Sequence, residues 1–214
     1  MKPLPPEFYG RPVLEVAPEL IGCTVVHGKT AGTIVETEAY HEQEPACHAY
    51  VGLTARTRTL FGPPGRAYVY RSYGIHAMLN AVCEPEGAGA AVLIRALAPE
   101  AGIELMRERR GMADERELCS GPGRLTQALG IDLDLNDTPL DGGEIVILPR
   151  EGPVPAVVSS VRVGITKAAE LPWRFAAVGN PNVSRPWPWR AARGRRAPGA
   201  AGTGSKGAAG GGRG

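Results

Sequence analysis

Lysine is scarce in this 214-residue sequence, which contains only four. None lies in the tyrosine-rich segments described below, which argues against a lysine that forms a Schiff base with a substrate. The four cysteines are far apart and form no CxxC pair: Cys23, Cys47, Cys83 and Cys119. Such spacing indicates neither a zinc site nor a secreted disulfide framework. We therefore expect buried, reduced thiols and no metal.

Long apolar runs and targeting signals are also missing. No stretch approaches the length of a membrane span, and no apolar segment follows Lys2 as it would in a signal peptide. His41 opens no HExxH motif because the second histidine is absent, and residues 62–66 (GPPGR) lack the GK[ST] ending of a phosphate-binding loop. These absences predict a cytoplasmic protein without a membrane contact.

Charge is distributed unevenly along the chain. Residues 190–214 contain six basic residues and no acidic one, which leaves 18 of the 24 basic residues against all 22 acidic residues elsewhere. This Gly/Ala/Arg-rich segment cannot bury apolar area, so we expect a folded domain at 1–189 and a disordered basic tail at 190–214. The tail is either an electrostatic tether for phosphates or a solubilising end.

Strand patterns outnumber helix patterns and show no regular βαβ alternation. We predict strands at Cys23–His27, Thr33–Tyr40, Ala67–Tyr73, His76–Cys83, Ala90–Leu97, Glu144–Leu148 and Val157–Ile165. Helical segments are expected at Pro18–Gly22, from Pro99 to Arg110 and from Pro122 to Leu129, and a hairpin connection at Gly28–Gly32. The polar segment 41–67 reads as a long functional loop. This pattern predicts a single α+β domain with a largely antiparallel sheet.

Two glutamates on one predicted strand are the candidate catalytic acids. Side chains alternate faces along a strand, so Glu36, Glu38 and Tyr40 share one face. Arg95 interrupts an otherwise apolar strand, and a buried arginine needs an anionic partner. An isolated strand glutamate usually faces solvent, and the residues alone do not separate Glu36 from Glu38.

Four of the six tyrosines cluster near these acids: Tyr40, Tyr68, Tyr70 and Tyr73. Tyrosine favours strands, so ordinary packing would also account for them. A stacking pocket is the alternative, because base–aromatic stacking is worth about 1–3 kcal/mol per base. Tyr73 precedes Gly74 at a predicted turn, where an exposed ring would be able to wedge into a base stack.

At these residues the sequence resembles the alkyladenine (3-methyladenine) DNA glycosylase family, from about Leu14 to Ser184. The shared motifs, in chain order, are ETEAY at 36–40, ACH at 46–48, YVYxxYG at 68–74, MLN at 78–80, LIRAL at 93–97, MR at 106–107, LCSGP at 118–122 and RVG at 162–164. So many ordered motifs are specific. The resemblance implies a curved sheet with flanking helices, similar to the C-terminal domain of formyltransferases.

The resemblance also implies a role for each candidate residue. Glu38, the second glutamate of ETEAY, would be the general base. Arg95 and the Val163 carbonyl would help to place the attacking water. The implied base-binding residues are Tyr40, His48, Tyr70 and Asn80, with Asn80 crowding the 2-amino group of guanine and Tyr68 in support. Tyr73 would enter the duplex where the nucleotide has left.

By this resemblance the protein would be a monomeric, monofunctional glycosylase that acts on damaged purines in double-stranded DNA without metal or organic cofactor, near the nucleoid. A binding protein that flips bases without excising them is one alternative. A hydrolase of free nucleosides is another. Tyr73 distinguishes this alternative, because a side chain that inserts into a base stack is useful only for a duplex substrate.

Overall fold

A sheet of eight antiparallel strands is the central element of the computed structural model, which describes residues 1–188. The strands are β1 (Thr24–His27), β2 (Thr30–His41), β3 (Ala67–Ser72), β4 (His76–Val82), β5 (Ala90–Ala101), β6 (Ile145–Leu148), β7 (Val157–Ser160) and β8 (Arg174–Ala177). Their order is β3-β4-β5-β2-β1-β6, while β8 pairs with both β2 and β7. The predicted α+β domain with a largely antiparallel, curved sheet is thereby confirmed. Residues 190–214, where we predicted a tail, lie outside the described residues.

Strand β2 is the centre of this sheet. It pairs with β1 near its start, with β8 at Glu36–Glu38, and with β5 along most of its length. The register between β2 and β5 shifts on both sides of Glu36. Such bulges bend a strand and change the direction of its side chains. The bend therefore lies at the two candidate glutamates.

In the described part of the chain, five short α-helices flank the sheet: α1 (Pro6–Tyr9), α2 (Val13–Glu19), α3 (Ile103–Arg110), α4 (Glu115–Leu118) and α5 (Pro122–Leu129). Helix α5 packs on β4 and β5, and α2 packs on β2. Leu125, Ala128 and Leu129 are buried at helical spacing, as an amphipathic helix requires. They join strand residues such as Ile34 and Ile94 in one apolar core. Within residues 1–188, no helix is long and apolar enough to cross a membrane.

The first predicted helical turn was placed wrongly. We expected Pro18 near the start, but α2 begins at Val13 and contains Pro18 in its last turn. Pro12 precedes the helix, and the Val13 N–H donates to Glu84 Oε1 at 2.9 Å. Pro18 has no N–H to donate to the carbonyl of Leu14, four residues earlier, and the helix ends one residue after it, at Glu19.

The junction of β5 and α3 also differs from the prediction. Strand β5 continues through Pro99 to Ala101, and the helix begins only at Ile103. Pro99 pairs with Gly32 of β2 on one edge of β5. On the opposite edge, β4 pairs with β5 only at Ala91–Leu93, so no neighbouring strand requires an N–H donor there at residue 99. Gly102 makes the turn at φ +70°, and a Cβ there would lie 2.4 Å from the Lys29 carbonyl oxygen.

Three smaller differences concern short segments. The β1–β2 turn comprises only Gly28 and Lys29, since His27 pairs with Thr30, so the connection is shorter than the predicted 28–32. Strand β7 ends at Ser160, because Arg162 leaves the sheet to bind Glu44. The four-residue elements α1, α4 and β8 were not predicted, as they are too short for a periodic pattern.

Candidate active site

A buried arginine joins the two glutamates of β2. Glu36 and Glu38 have no exposed surface, and Arg95 is 6% exposed. Arg95 Nε donates to Glu36 Oε1 at 2.8 Å, and its Nη1 donates to Glu38 Oε2 at 3.1 Å. Burial alone would lower the pKa of Arg95, but the charges of Glu38 and then Glu36 outweigh it and raise that pKa. The predicted anionic partner of Arg95 is confirmed, and there are two of them.

Glu36 is committed to structural contacts. Its Oε1 accepts hydrogen bonds from Arg95, from Arg174 Nε at 2.7 Å and from Ser184 Oγ at 2.9 Å. Its Oε2 accepts from the Ser184 backbone N–H at 2.7 Å. Glu36 thus accepts four hydrogen bonds, all of them from the protein itself.

Glu38 has a different set of donors. Its Oε1 accepts from the Val163 N–H at 2.8 Å, and its Oε2 accepts from the Tyr40 hydroxyl at 2.8 Å and from Arg95. Tyr40, Arg95 and Val163 all line an open cavity of about 370 Å³. Glu38 therefore does not line the cavity itself but is hydrogen-bonded to three residues that do. Val163 donates to Glu38 through its backbone N–H, and the role of the Val163 carbonyl stays a prediction.

An aromatic recess opens from the same cavity. It has a volume of about 140 Å³ and is lined by Tyr40, Ala46, Cys47, His48, Leu60, Tyr68, Tyr70, Asn80, Ala91 and Ile165. The rings of Tyr68 and Tyr70 stack with centroids 5.4 Å apart, and His48 meets Tyr70 edge-on at 4.6 Å. All of the predicted base-binding residues thus line one recess, next to the carboxylates.

These side chains are uncharged near neutral pH. Burial raises the pKa of Tyr70 to about 12, with the neighbouring Tyr68 adding to the effect. Burial and then Glu38 raise the pKa of Tyr40, and burial and then Arg56 lower the pKa of His48. A neutral, aromatic recess suits a flat, uncharged or cationic ring better than a phosphate.

Asn80 forms part of the recess floor. It is buried, and its Nδ2 donates to the carbonyl oxygens of Tyr68 at 3.0 Å and Met78 at 3.4 Å. These bonds hold the amide plane in one orientation. Asn80 thus presents a fixed amide group to the recess, and its contact with a base stays a prediction.

Tyr73 projects from the β3–β4 hairpin at the mouth of the cavity. Its side chain is 89% exposed, and it lines the cavity together with Arg56 and Arg71. Tyr73 and Gly74 adopt φ values of +49° and +71°, and the Ile75 N–H donates to the Ser72 carbonyl at 3.1 Å. Two positive φ values match the tight primed turns of hairpins. The turn thus presents the ring to solvent.

Sequence reasoning missed several residues of this site. Arg56 lines the cavity together with Tyr73. Arg162 is buried, binds both oxygens of Glu44, and places its guanidinium carbon 4.6 Å from the centroid of the Tyr40 ring. Arg174 supports Glu36. Arg174 lies in an apolar segment like Arg95, and the same signal would have identified it.

No metal centre is present in the part of the chain that the structure describes, since no three His, Cys, Asp or Glu side chains are grouped suitably. The four cysteines are buried free thiols.

Comparison with known proteins gives consistent results. A family model described as methylpurine-DNA glycosylase matches residues 7–181. A protein of Rhodopseudomonas palustris (strain HaA2) is 56% identical over 185 residues, which cover 86% of this chain and 92% of the relative. Relatives from Nitrobacter winogradskyi and Methanoculleus marisnigri are 55% and 52% identical, cover 87% and 85% of this chain, and are themselves covered to 89% and 98%. All three are named "Putative 3-methyladenine DNA glycosylase".

Proposed function

Because the chain belongs to the methylpurine-DNA glycosylase family, we propose that it removes alkylated or deaminated purines from duplex DNA by hydrolysing their N-glycosidic bond. The observation that carries the proposal is the contact of Glu38 with Arg95, Tyr40 and Val163, all three of which line the cavity beside the aromatic recess. The enzyme leaves an abasic site and does not cut the strand, since no lysine lies among the residues that line the recess or its mouth.

The target nucleotide leaves the helix before the chemistry. Its C1′ atom cannot be reached inside a duplex, and damaged pairs cost less to open. The exposed Tyr73 ring fills the space in the base stack, as apolar wedges do in other DNA-bending proteins. The extruded base then stacks among Tyr40, His48 and Tyr70. Cationic alkylated bases gain further from electron-rich rings.

Glu38 acts as the general base in the hydrolysis. The C1′–N bond breaks with oxocarbenium character, and its electron pair goes to the departing base. The oxygen of a water molecule bonds to C1′ and its proton goes to Glu38. Arg95, whose charge is balanced by two carboxylates, holds the Glu38 carboxylate in place. General-base assistance is worth about 10²–10⁴-fold in rate.

Single-turnover base release tests this proposal. Duplexes that carry one hypoxanthine, one ethenoadenine or methylated purines are incubated with wild type, with Glu38→Gln and with the exposed-site control Glu104→Gln. We expect Glu38→Gln to slow release by about 10²–10⁴-fold, while lesion binding persists and Glu104→Gln behaves as wild type. Strand breaks should appear only after alkali treatment.

Other outcomes would change the proposal. Tight lesion binding by wild type without release of any base would support the alternative, a damage-binding protein. Undiminished release by Glu38→Gln would remove Glu38 as the base. Strand cleavage without alkali would contradict a purely hydrolytic mechanism.

A further inference from the structure

The hydroxyl of Tyr68 has two polar side-chain neighbours, the Nδ1 atom of His48 at 3.1 Å and the guanidinium group of Arg56, which can only donate to it. In the Tyr68–His48 pair, either atom can donate, depending on the tautomer of the imidazole. The direction of this bond decides whether the Tyr68 O–H donates to His48 or is free to donate to a bound ligand.

Arg56 determines the direction. Its Nη2 lies 3.4 Å from the other ring nitrogen of His48, Nε2. A guanidinium group only donates, so Nε2 has to accept. Burial and the charge of Arg56 both lower the pKa of His48, which agrees with a neutral ring. A neutral ring that accepts at Nε2 carries its proton on Nδ1, and His48 therefore donates to the Tyr68 oxygen.

The Tyr68 hydroxyl consequently has its own hydrogen to give. Tyr68 is 3% exposed and lines the aromatic recess, where its ring is held by stacking on Tyr70. Burial raises the pKa of Tyr68, so the phenol stays protonated.

We propose that Tyr68, oriented by the Arg56–His48 pair, donates a hydrogen bond to the flipped base and so promotes the release of neutral purine lesions. The inference rests on the proposed function and deepens it, because it identifies the group that assists the leaving base. A cationic methylated purine departs as a neutral molecule and gains little from a donor. A neutral lesion receives the electron pair of the C1′–N bond and departs as an anion, which a donor within the recess stabilises in the transition state. The anion takes its proton from solvent after release.

The test compares Tyr68→Phe with wild type and with Tyr50→Phe, which removes a hydroxyl from a half-exposed tyrosine outside the recess. Single-turnover release is measured from a hypoxanthine duplex and from a duplex with cationic 7-methylguanine. Tyr68→Phe should slow hypoxanthine release by about tenfold or more and 7-methylguanine release by less than about twofold. Tyr50→Phe should leave both rates unchanged.

A second variant and a binding measurement distinguish the loss of the Tyr68 hydrogen bond from a loss of folding in Tyr68→Phe. Arg56→Met changes an exposed side chain and should lower the same hypoxanthine-to-7-methylguanine rate ratio, though less. Binding of the hypoxanthine duplex to Glu38→Gln should weaken several-fold when Tyr68→Phe is added. Equal slowing on both duplexes, or an unchanged ratio, would overturn the role of Tyr68. Absence of release by wild type would instead overturn the proposed function, and the binding comparison would still test the hydrogen bond.

Discussion

At the scale of single residues, Glu36 and Glu38 lie two positions apart and share Arg95, but their other hydrogen-bond partners differ. Glu36 binds Arg174 and both the backbone and the hydroxyl of Ser184, whereas Glu38 binds Tyr40 and Val163 at the cavity. Glu36 is bound by residues from the end of the described chain, whereas the three partners of Glu38 all line the cavity. This division explains why the residue pattern alone left the two equally good candidates: both are buried strand glutamates, and only their distant partners differ.

Replacing Glu36 should therefore affect stability first. In Glu36→Gln, Arg174 loses its carboxylate partner while both guanidinium groups remain buried. Removal of one member of a buried ion pair costs about 3–5 kcal/mol, so we expect the free energy of unfolding to fall by about that amount. Urea denaturation measures it, and Glu104→Gln, at an exposed helix position, should change it by less than about 0.5 kcal/mol. Equal stability of Glu36→Gln and wild type would show that Glu36 is not the structural member of the pair.

At the scale of elements, the β3–β4 hairpin holds its functional side chain in an unfavourable backbone conformation. Tyr73 lies in the left-handed region at φ +49°, which costs a residue with a Cβ about 1–2 kcal/mol. Asparagine tolerates this region better. We interpret this conformation as the cost in stability of presenting the Tyr73 ring for the predicted contact with DNA.

We expect Tyr73→Asn to keep or raise the free energy of unfolding, by up to about 1 kcal/mol, while it slows base release from duplex DNA more than tenfold. The loss should be much smaller on a single-stranded oligonucleotide with the same lesion, where no stacked space has to be filled. Urea denaturation and single-turnover release on both substrates provide the check. Equal losses on single and double strands would contradict the wedge.

Elements with a clear hydrophobic periodicity were predictable from the sequence, and elements whose bounds depend on distant contacts were not. Helix α5 was predicted with its observed bounds because its proline start and apolar spacing are local signals. The extension of β5 through Pro99 depends on a pairing with β2, more than sixty residues earlier in the chain. The need of Arg95 for an anion was visible in the sequence. The contacts of Arg174 and Ser184 with Glu36 were not, since they span 138 and 148 residues.

At the scale of the whole molecule, the family membership confirms the predicted family and the predicted enzyme class, a DNA glycosylase. The resemblance decided between Glu36 and Glu38, and that choice stays a prediction. The roles of the individual residues, the monomeric state and the cytoplasmic location stay predictions.

Charge at this scale predicts how the protein finds DNA. Residues 1–189 contain 18 basic and 22 acidic residues, while 190–214 contribute six basic residues. We expect that deletion of 190–214 makes the logarithm of duplex affinity fall less steeply with the logarithm of salt concentration, because fewer counterions are released on binding. Fluorescence anisotropy across a salt series measures the slope. An unchanged slope would identify the segment as a spacer.

The support of Glu36 by Ser184 has a consequence for synthesis of the protein on the ribosome. The tyrosine-rich strands and the β3–β4 hairpin are complete by Val82, but the donors to Glu36 include Arg174 and Ser184, close to the end of the described residues. A nascent or prematurely terminated chain thus contains these strands before Glu36, which shares Arg95 with Glu38, has all of its donors. The capacity to break glycosidic bonds in the genome is completed only when nearly all of the domain has been translated.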